Sequence, residues 1–270
     1  IGYGKTMVHK TLNWGFFTEP EPSMNGRAIY WPRGRTLGGS SSINGLIFVR
    51  GQAEDYNHWA DLGNEGWSWR DVLPYFIRSE HNTRGASATH GGDGPLWCSD
   101  IRHKHELIER IIDGAGELGV RRTDDFNGGD QEGVGYYQLF TRNGLRCSTA
   151  VAYLRPAKGR PDLRVETDAH ATGLILEGRR AVGVRVAQHG RDVEIRAARE
   201  VILAAGALQS PQLLLLSGIG PEAALRPHGI PVRHDLPGVG ENLQDHLQVR
   251  LIYRLAKPIT TNDDLRNIAR

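Results

Sequence analysis

Residues 33–45 read Arg33-Gly34-Arg35-Thr36-Leu37-Gly38-Gly39-Ser40-Ser41-Ser42-Ile43-Asn44-Gly45, and they constrain the chain more than any other stretch. Glycines, hydroxyls and one amide are packed into a short segment between Tyr30-Trp31-Pro32 and Leu46-Ile47-Phe48-Val49. Glycine lets backbone approach another group closely and adopt positive φ. Runs of free backbone N–H in such turns form anion-binding concavities. A Gly/Ser run in isolation reads as a flexible linker, but linkers do not sit between aromatic and apolar patches. The segment reads as a ligand-facing turn.

Composition narrows the rest. With 270 residues, the chain is long enough for one large domain or two ordinary ones. Lys plus Arg number 33 and Asp plus Glu 31, so the formal charge is only +2. Basic residues are scattered rather than striped, which argues against a nucleic-acid partner. The longest apolar run, Leu213-Leu214-Leu215-Leu216, is far too short to span a bilayer. Cys98 and Cys147 show no metal-like spacing and read as two buried thiols rather than a disulfide. The chain starts at Ile1 and stops at Arg270, and we expect an internal fragment; an absent signal peptide then carries no information. The cytoplasm is the expected compartment.

Residues 1–35 are rich in Gly, Pro and Asn and read as an irregular extended segment pinned by Trp14, Phe16, Phe17, Tyr30 and Trp31. Ser68 caps an expected helix carrying Trp69, Val72, Leu73 and Phe76, with Pro74 as a mild kink. From His105, the spacing of Leu107, Ile108, Ile111, Ile112, Ala115 and Leu118 predicts an amphipathic helix that Gly119 ends. Runs at 163–167, 173–176, 181–186 and 193–195 are short and β-prone, separated by turns at 177–180 and near Gly190. They predict a β-meander. Residues 200–206 then read as a buried strand. Ser210 as N-cap, Pro211 at the first helical position and Gly218 at the exit bracket a short helix.

Two motifs fail on inspection. Asp125-x-Asn127 begins like a calcium loop, but Asp130 stands where glycine is needed and no glutamate closes it. Gly218-Ile219-Gly220-Pro221-Glu222-Ala223 matches the dinucleotide turn, which must follow a strand and open a helix with free N–H groups. Here a helix precedes it and Pro221 has no N–H. Gly2-Tyr3-Gly4 is too short a remnant to read, so an NAD-dependent dehydrogenase lacks its fingerprint.

Three long patterns, in order, carry a resemblance. Residues 33–45, continuing through Val49-Arg50-Gly51 and Asp55-Tyr56-x-x-Trp59, form the first. The second is Gly206-Ala207-Leu208-Gln209-Ser210-Pro211-Gln212-Leu213-Leu214, ending in Ser217-Gly218-Ile219-Gly220-Pro221. The third is Leu236-Pro237-Gly238-Val239-Gly240-x-Asn242-Leu243-x-Asp245-His246. Together they resemble the signatures of the glucose–methanol–choline (GMC) oxidoreductases, over nearly the whole chain. Within that family the chain looks most like the choline-dehydrogenase-like alcohol dehydrogenases.

The resemblance implies a mixed α/β, Rossmann-like FAD-binding fold with a β-meander and a discontinuous substrate domain, truncated at both ends. Residues 1–74 and 147–247 would be parts of the FAD-binding domain, 75–146 part of the substrate domain, and 248–270 the start of its second segment. It implies that Gly38, Gly39, Ser40, Asn44, Gly45 and Leu46 lie against FAD, and that backbone at Ala171 reads the adenine. Asn242, Asp245 and His246 are implied to help build the flavin site, with a loop-capping role as the equal alternative. Some members carry, just before the asparagine, a histidine bonded to the flavin; Ile43 stands there, so FAD is expected to be held non-covalently. The implied reaction is oxidation of a small alcohol by hydride transfer to the flavin, with the electron acceptor open. The family's C-terminal catalytic histidine has no counterpart in 1–270, so no catalytic residue and no metal ligand is assigned. A non-catalytic flavin-binding homologue, or an inert fragment, is the rival expectation. The 270-residue piece alone is expected to bind FAD weakly, for want of the pyrophosphate turn.

Overall fold

The computed structural model describes residues 3–260. It divides into two compact units, one holding the residues up to Leu163 together with those from Leu255, the other Arg164–Arg254. The expected boundaries at 75, 147 and 248 concern functional domains, a matter on which compactness is silent. The expected segment 248–270 is described only as far as Thr260, and the Gly2 remnant lies outside the described residues.

The first unit begins with α1 (Tyr3–Met7) and a two-stranded antiparallel ladder, β1 (Phe16–Phe17) with β2 (Tyr30–Trp31). The predicted aromatic pins hold it: Trp14 stacks on Phe16 with centroids 6.1 Å apart, and Phe17 meets Tyr30 at 4.9 Å. Next come α2 (Ala53–Asp61) and α3 (Trp69–Ser79). The predicted cap is present, since Ser68 donates to Asp71 Oδ2 through both its Oγ (2.6 Å) and its N–H (3.2 Å). Tyr56 of α2 packs against Trp69 and Phe76 of α3, at 5.6 and 5.7 Å.

A parallel pair follows, β3 (Glu80–Asn82) with β4 (Leu96–Cys98), joined by the Gly-rich loop at 90–95. This loop is pressed onto the end of α3: a Cβ on Gly91 would sit 1.9 Å from the Ile77 carbonyl oxygen, so only glycine fits. The second predicted helix is α4 (Glu106–Glu117), where the His105 Nδ1 accepts from the Leu107 N–H at 3.1 Å. Gly119, at φ +83°, closes it as expected. Ile112 is buried, whereas Ile108, Ile111 and Leu118 remain exposed, so only part of the apolar face is covered. A hairpin, β5 (Thr141–Arg142) with β6 (Leu145–Arg146), turns through Asn143 and Gly144, both at positive φ, as a two-residue loop requires. A π-helical turn at Ala150–Leu154 then leads into α5 (Arg155–Ala157). Cys98 and Cys147 are buried free thiols, as the sequence predicted.

The second unit is built on the predicted meander: β7 (Ala169–Glu177), β8 (Arg180–Gln188) and β9 (Arg191–Arg196), all antiparallel. Leu174, Ile175 and Val186 are its buried apolar side chains, beside the buried glycines Gly173 and Gly183. After it come α6 (Gly206–Leu216), β10 (Ile219–Gly220), α7 (Glu222–Leu225) and β11 (His234–Asp235), the last strand running parallel to β10. Ser217, at the end of α6, stitches helix to sheet: it accepts from the Leu174 N–H at 2.8 Å and donates to the Leu213 carbonyl at 2.6 Å.

Three local expectations are corrected. Residues 163–167 are not a strand; they have no ladder partner among the described residues, and Leu163 and Val165 are exposed. Residues 200–204 are not a buried strand either, and Ile202 is 77% exposed. A strand exists only with a neighbour to take its N–H and C=O groups, and none of the described strands reaches this run. The following helix starts at Gly206 rather than Pro211, which lies inside it. Ser210 does cap, but backwards, accepting from the Ala205 N–H at 3.0 Å. The exit at Gly218 is as predicted, at φ +82°. No helix among the described residues is long and apolar enough to cross a membrane.

Candidate functional site

The Gly/Ser segment folds as a 3-10 turn, Gly39–Ser42, entered through two residues at positive φ, Gly38 (+85°) and Gly39 (+53°). Its polar groups largely bond within the loop. Gly39 N–H donates to the Thr36 carbonyl (2.8 Å), Ser42 Oγ to the Leu37 carbonyl (2.8 Å), and Asn44 N–H to the Ser40 carbonyl (2.9 Å). Ser40 Oγ accepts from Gly34 N–H at 3.1 Å, so this hydroxyl first shapes the turn and has its own proton left to donate.

The two glycines have different surroundings. A Cβ on Gly38 would lie 2.6 Å from Ser42 Oγ and 3.1 Å from Ala150 Cβ and N, whereas a Cβ on Gly39 would meet nothing within 4 Å. One faces inward packing; the other presents bare backbone to open space. Ile43 is 3% exposed and anchors the turn, while Asn44 and Gly45 are exposed. Leu46 holds φ +69°, an uncommon value for a residue with a branched side chain. Its N–H donates to Asn44 Oδ1 at 3.1 Å and its carbonyl accepts from Phe140 N–H at 2.8 Å.

A second segment, residues 146–150, braces the turn, and the sequence reading missed it. Thr149 N–H donates to Ser41 Oγ at 3.0 Å, and Thr149 Oγ1 bonds the Gly38 carbonyl at 3.2 Å. Arg146, delivered by the β5–β6 hairpin, donates from Nη1 to Asn44 Oδ1 (2.9 Å) and the Ser41 carbonyl (3.0 Å), and from Nη2 to the Asn44 carbonyl (2.7 Å). The available signal was composition: Arg146-Cys147-Ser148-Thr149-Ala150 is a second small, hydroxyl-bearing run.

A buried charged network occupies the same unit. Arg50 and Glu80, each with a side chain 2% exposed, form an ion pair, and Arg50 Nη1 also donates to the Thr89 carbonyl at 2.6 Å. His90 bridges two carboxylates, Glu80 through Nδ1 (2.7 Å) and Asp125 through Nε2 (2.9 Å). The bond to Glu80 is the chief cause that raises the His90 pKa, with Asp125 adding to it against burial. Burial pushes the Asp125 carboxyl up, but the Asn127 N–H and His90 outweigh it and the net shift is downward. Burial lowers the Arg50 pKa. The failed calcium motif thus has another use: Asp125 holds His90, while Asn127 Oδ1 accepts from Arg50 N–H at 2.8 Å and its Nδ2 donates to the Phe48 carbonyl at 3.1 Å. No group of side chains among the described residues is arranged to hold a metal ion.

Gly38, Gly39, Ser40, Asn44, Gly45 and Leu46 are therefore brought together on one braced loop. Ala171 belongs to the second unit, on the outer strand β7 of the meander, exposed and paired in register with Val186. Asn242, Asp245 and His246 lie on an exposed segment without regular structure; Asn242 takes φ +55°, and Asp245 Oδ1 accepts from His246 N–H at 2.8 Å.

The sequence profile of the family described as GMC oxidoreductase matches residues 5–248. The chain belongs to the GMC oxidoreductases. Among curated relatives of this family, it is 48% identical over 255 residues to the oxygen-dependent choline dehydrogenase of Brucella anthropi, covering 94% of this chain and 46% of that one. It is 46% identical over 248 residues to the mitochondrial choline dehydrogenase of Mus musculus, covering 92% and 42%. The chain thus spans about half the length of the curated relatives it matches. Among solved structures, pyridoxine 4-oxidase from Mesorbium loti superposes with a TM-score of 0.82 at 33% identity, covering 87% of this chain and 47% of that one. A formate oxidase does so with a TM-score of 0.79 at 28% identity, covering 88% and 43%. The expected GMC fold, read from the three motifs, is the fold observed.

Proposed function

We propose that the protein is an FAD-dependent oxidoreductase of the choline-dehydrogenase-like group, acting on the CH–OH group of a small alcohol and holding its FAD non-covalently. The carrying observation is the braced turn at residues 38–46. Gly39 leaves open space where a side chain would stand, and Asn44 and Gly45 lie exposed beside it. A flat ring system with carbonyl and nitrogen acceptors fits a wall of bare backbone and outward donors. Names borne by relatives, choline dehydrogenase above all, support the alcohol class.

When bound, FAD supplies the hydride acceptor for alcohol oxidation. The chain's own residues hold and orient. Gly39 would offer a bare backbone surface, Ser40 and Gly45 their backbone N–H groups and Asn44 its side-chain amide. Leu46, whose N–H and carbonyl are already bonded to Asn44 and Phe140, would contribute contact surface. Ile43 is a buried hydrocarbon with no nucleophile, which supports non-covalent attachment. Thr149 and Arg146 keep the turn in shape from behind. Exposed strand backbone at Ala171 supports the adenine-reading role. We read residues 1–74 and 147–247 as FAD-binding parts, and 75–146 with 248–270 as substrate-domain parts, on the family pattern.

The test is anaerobic and uses the full-length protein: loaded with FAD, it is mixed with choline and with simple primary alcohols while flavin absorbance is followed. Bleaching with at least one of them is expected, and acid precipitation should release the flavin. Loaded protein that stays yellow with every alcohol would overturn the reading.

A further inference from the structure

We propose that Arg146 is a positioning residue for the flavin, acting through Asn44: it sets which way the Asn44 amide faces and brings a positive charge, unshared with any carboxylate, to the turn. The inference rests on the functional reading above and deepens it.

The geometry leaves one orientation for that amide. Asn44 Oδ1 accepts two hydrogen bonds, from Leu46 N–H (3.1 Å) and Arg146 Nη1 (2.9 Å). Rotating the amide by half a turn would set its NH2 against both donors and forfeit both bonds. Asn44 Nδ2 therefore has no acceptor among the described residues, on a residue that is exposed. It is a donor held outward for an acceptor the chain does not supply. Nη2 grips the Asn44 carbonyl (2.7 Å) and Nη1 the Ser41 carbonyl (3.0 Å), so one guanidinium holds the residues on either side of Ile43. A guanidinium fork suits this task better than an ammonium, which is a rotating point charge.

The charge has a second consequence. Arg146 is half-buried, and no Asp or Glu of the described residues lies within salt-bridge distance of it. Buried arginines are ordinarily paired, as Arg50 is with Glu80 in this same unit. All the acceptors of Arg146 are neutral, so its charge is compensated only by dipoles. Such a charge stabilises negative charge developing nearby, and a reduced flavin is the anion-forming group on the proposed reading. Burial lowers the Arg146 pKa, in keeping with a cation that lacks a counter-charge.

The test uses the FAD-loaded protein with Arg146→Met, Arg146→Lys, Asn44→Ala and the double variant Arg146→Lys/Asn44→Ala. Arg146→Met should shift the flavin reduction equilibrium toward the oxidised form by about tenfold, a drop of about 30 mV for a two-electron couple. Arg146→Lys keeps the charge and should stay within about threefold of wild type in that equilibrium, yet lose about tenfold in FAD affinity with the fork. Asn44→Ala should lose a similar factor, and the double variant should lose no more than the larger single loss, because both act through one amide. Additive losses, or Arg146→Met with an unaltered reduction equilibrium, would overturn the assignment. Should Arg146→Met fail to fold, the lysine cycle still decides. A full-length wild-type protein that takes up no FAD sinks the functional reading itself, and this assignment with it.

Discussion

Gly38 and Gly39 are neighbours that resist substitution for unlike reasons. Both hold positive φ, which costs a side-chain-bearing residue roughly 1–2 kcal/mol. Gly38 adds a steric conflict, since a Cβ there would press on Ser42 Oγ and on Ala150 of the π-helical turn. Gly39 adds none, because the space before it is open. Gly38→Ala should therefore lower thermal stability by more than Gly39→Ala does. Gly39→Val should fold, yet lose FAD loading by filling the open wall. Melting curves and the ratio of flavin to protein absorbance after gel filtration check both outcomes. Full flavin loading in Gly39→Val would contradict the proposed contact. The sequence pointed to this pair by composition alone; it could not say which glycine faces inward, because Ala150 lies more than a hundred positions along the chain.

Among the elements, Ser217 gives a sharp case. Its hydroxyl closes α6 on the Leu213 carbonyl while capping the Leu174 N–H of β7, and it is 7% exposed. Ser217→Ala leaves that buried N–H unpaired and should cost about 1–3 kcal/mol, whereas Ser217→Thr keeps the hydroxyl and should recover part of it. Equal melting temperatures for wild type and Ser217→Ala would show that water replaces the bond. What was legible in the sequence follows from where each element's bonds close. α3 and α4 carry their own caps, Ser68 with Asp71 and His105 with Gly119, so local reading located them. The meander closes through tight turns at Gly178 and Gly190, so it too was legible. Residues 200–204 had the composition of a buried strand, but a strand depends on a neighbour that composition does not specify. Arg146 was missed for the same reason: its partners, Ser41 and Asn44, are distant in sequence.

At the scale of the folded molecule, the Arg50–Glu80–His90–Asp125 network makes stability depend on pH, and the sign follows from the two shifted groups. His90 has its pKa raised by Glu80 and, secondarily, by Asp125. A group whose folded pKa exceeds its unfolded value, about 6.5 for histidine, stabilises fully below that unfolded value. That contribution fades as pH rises through the folded pKa. The Asp125 carboxyl has its pKa lowered on balance, so it stabilises above its unfolded value of about 3.9 and fades as pH falls through the folded one. The groups facing His90 are Glu80, Asp125, Asn82 and the Phe48 ring. None of these is a cation, so burial is what opposes the protonated ring, and the two carboxylates outweigh it. The two contributions overlap between about pH 4 and 6.5. Thermal midpoints measured across pH 4–9 should thus decline above that window in the wild type. His90→Gln retains a polar side chain without a titrating ring, so its decline above pH 6.5 should be shallower, although its overall stability falls. Parallel profiles for the two proteins would mean that His90 titrates with no preference for the folded state, and that some other group sets the alkaline limb.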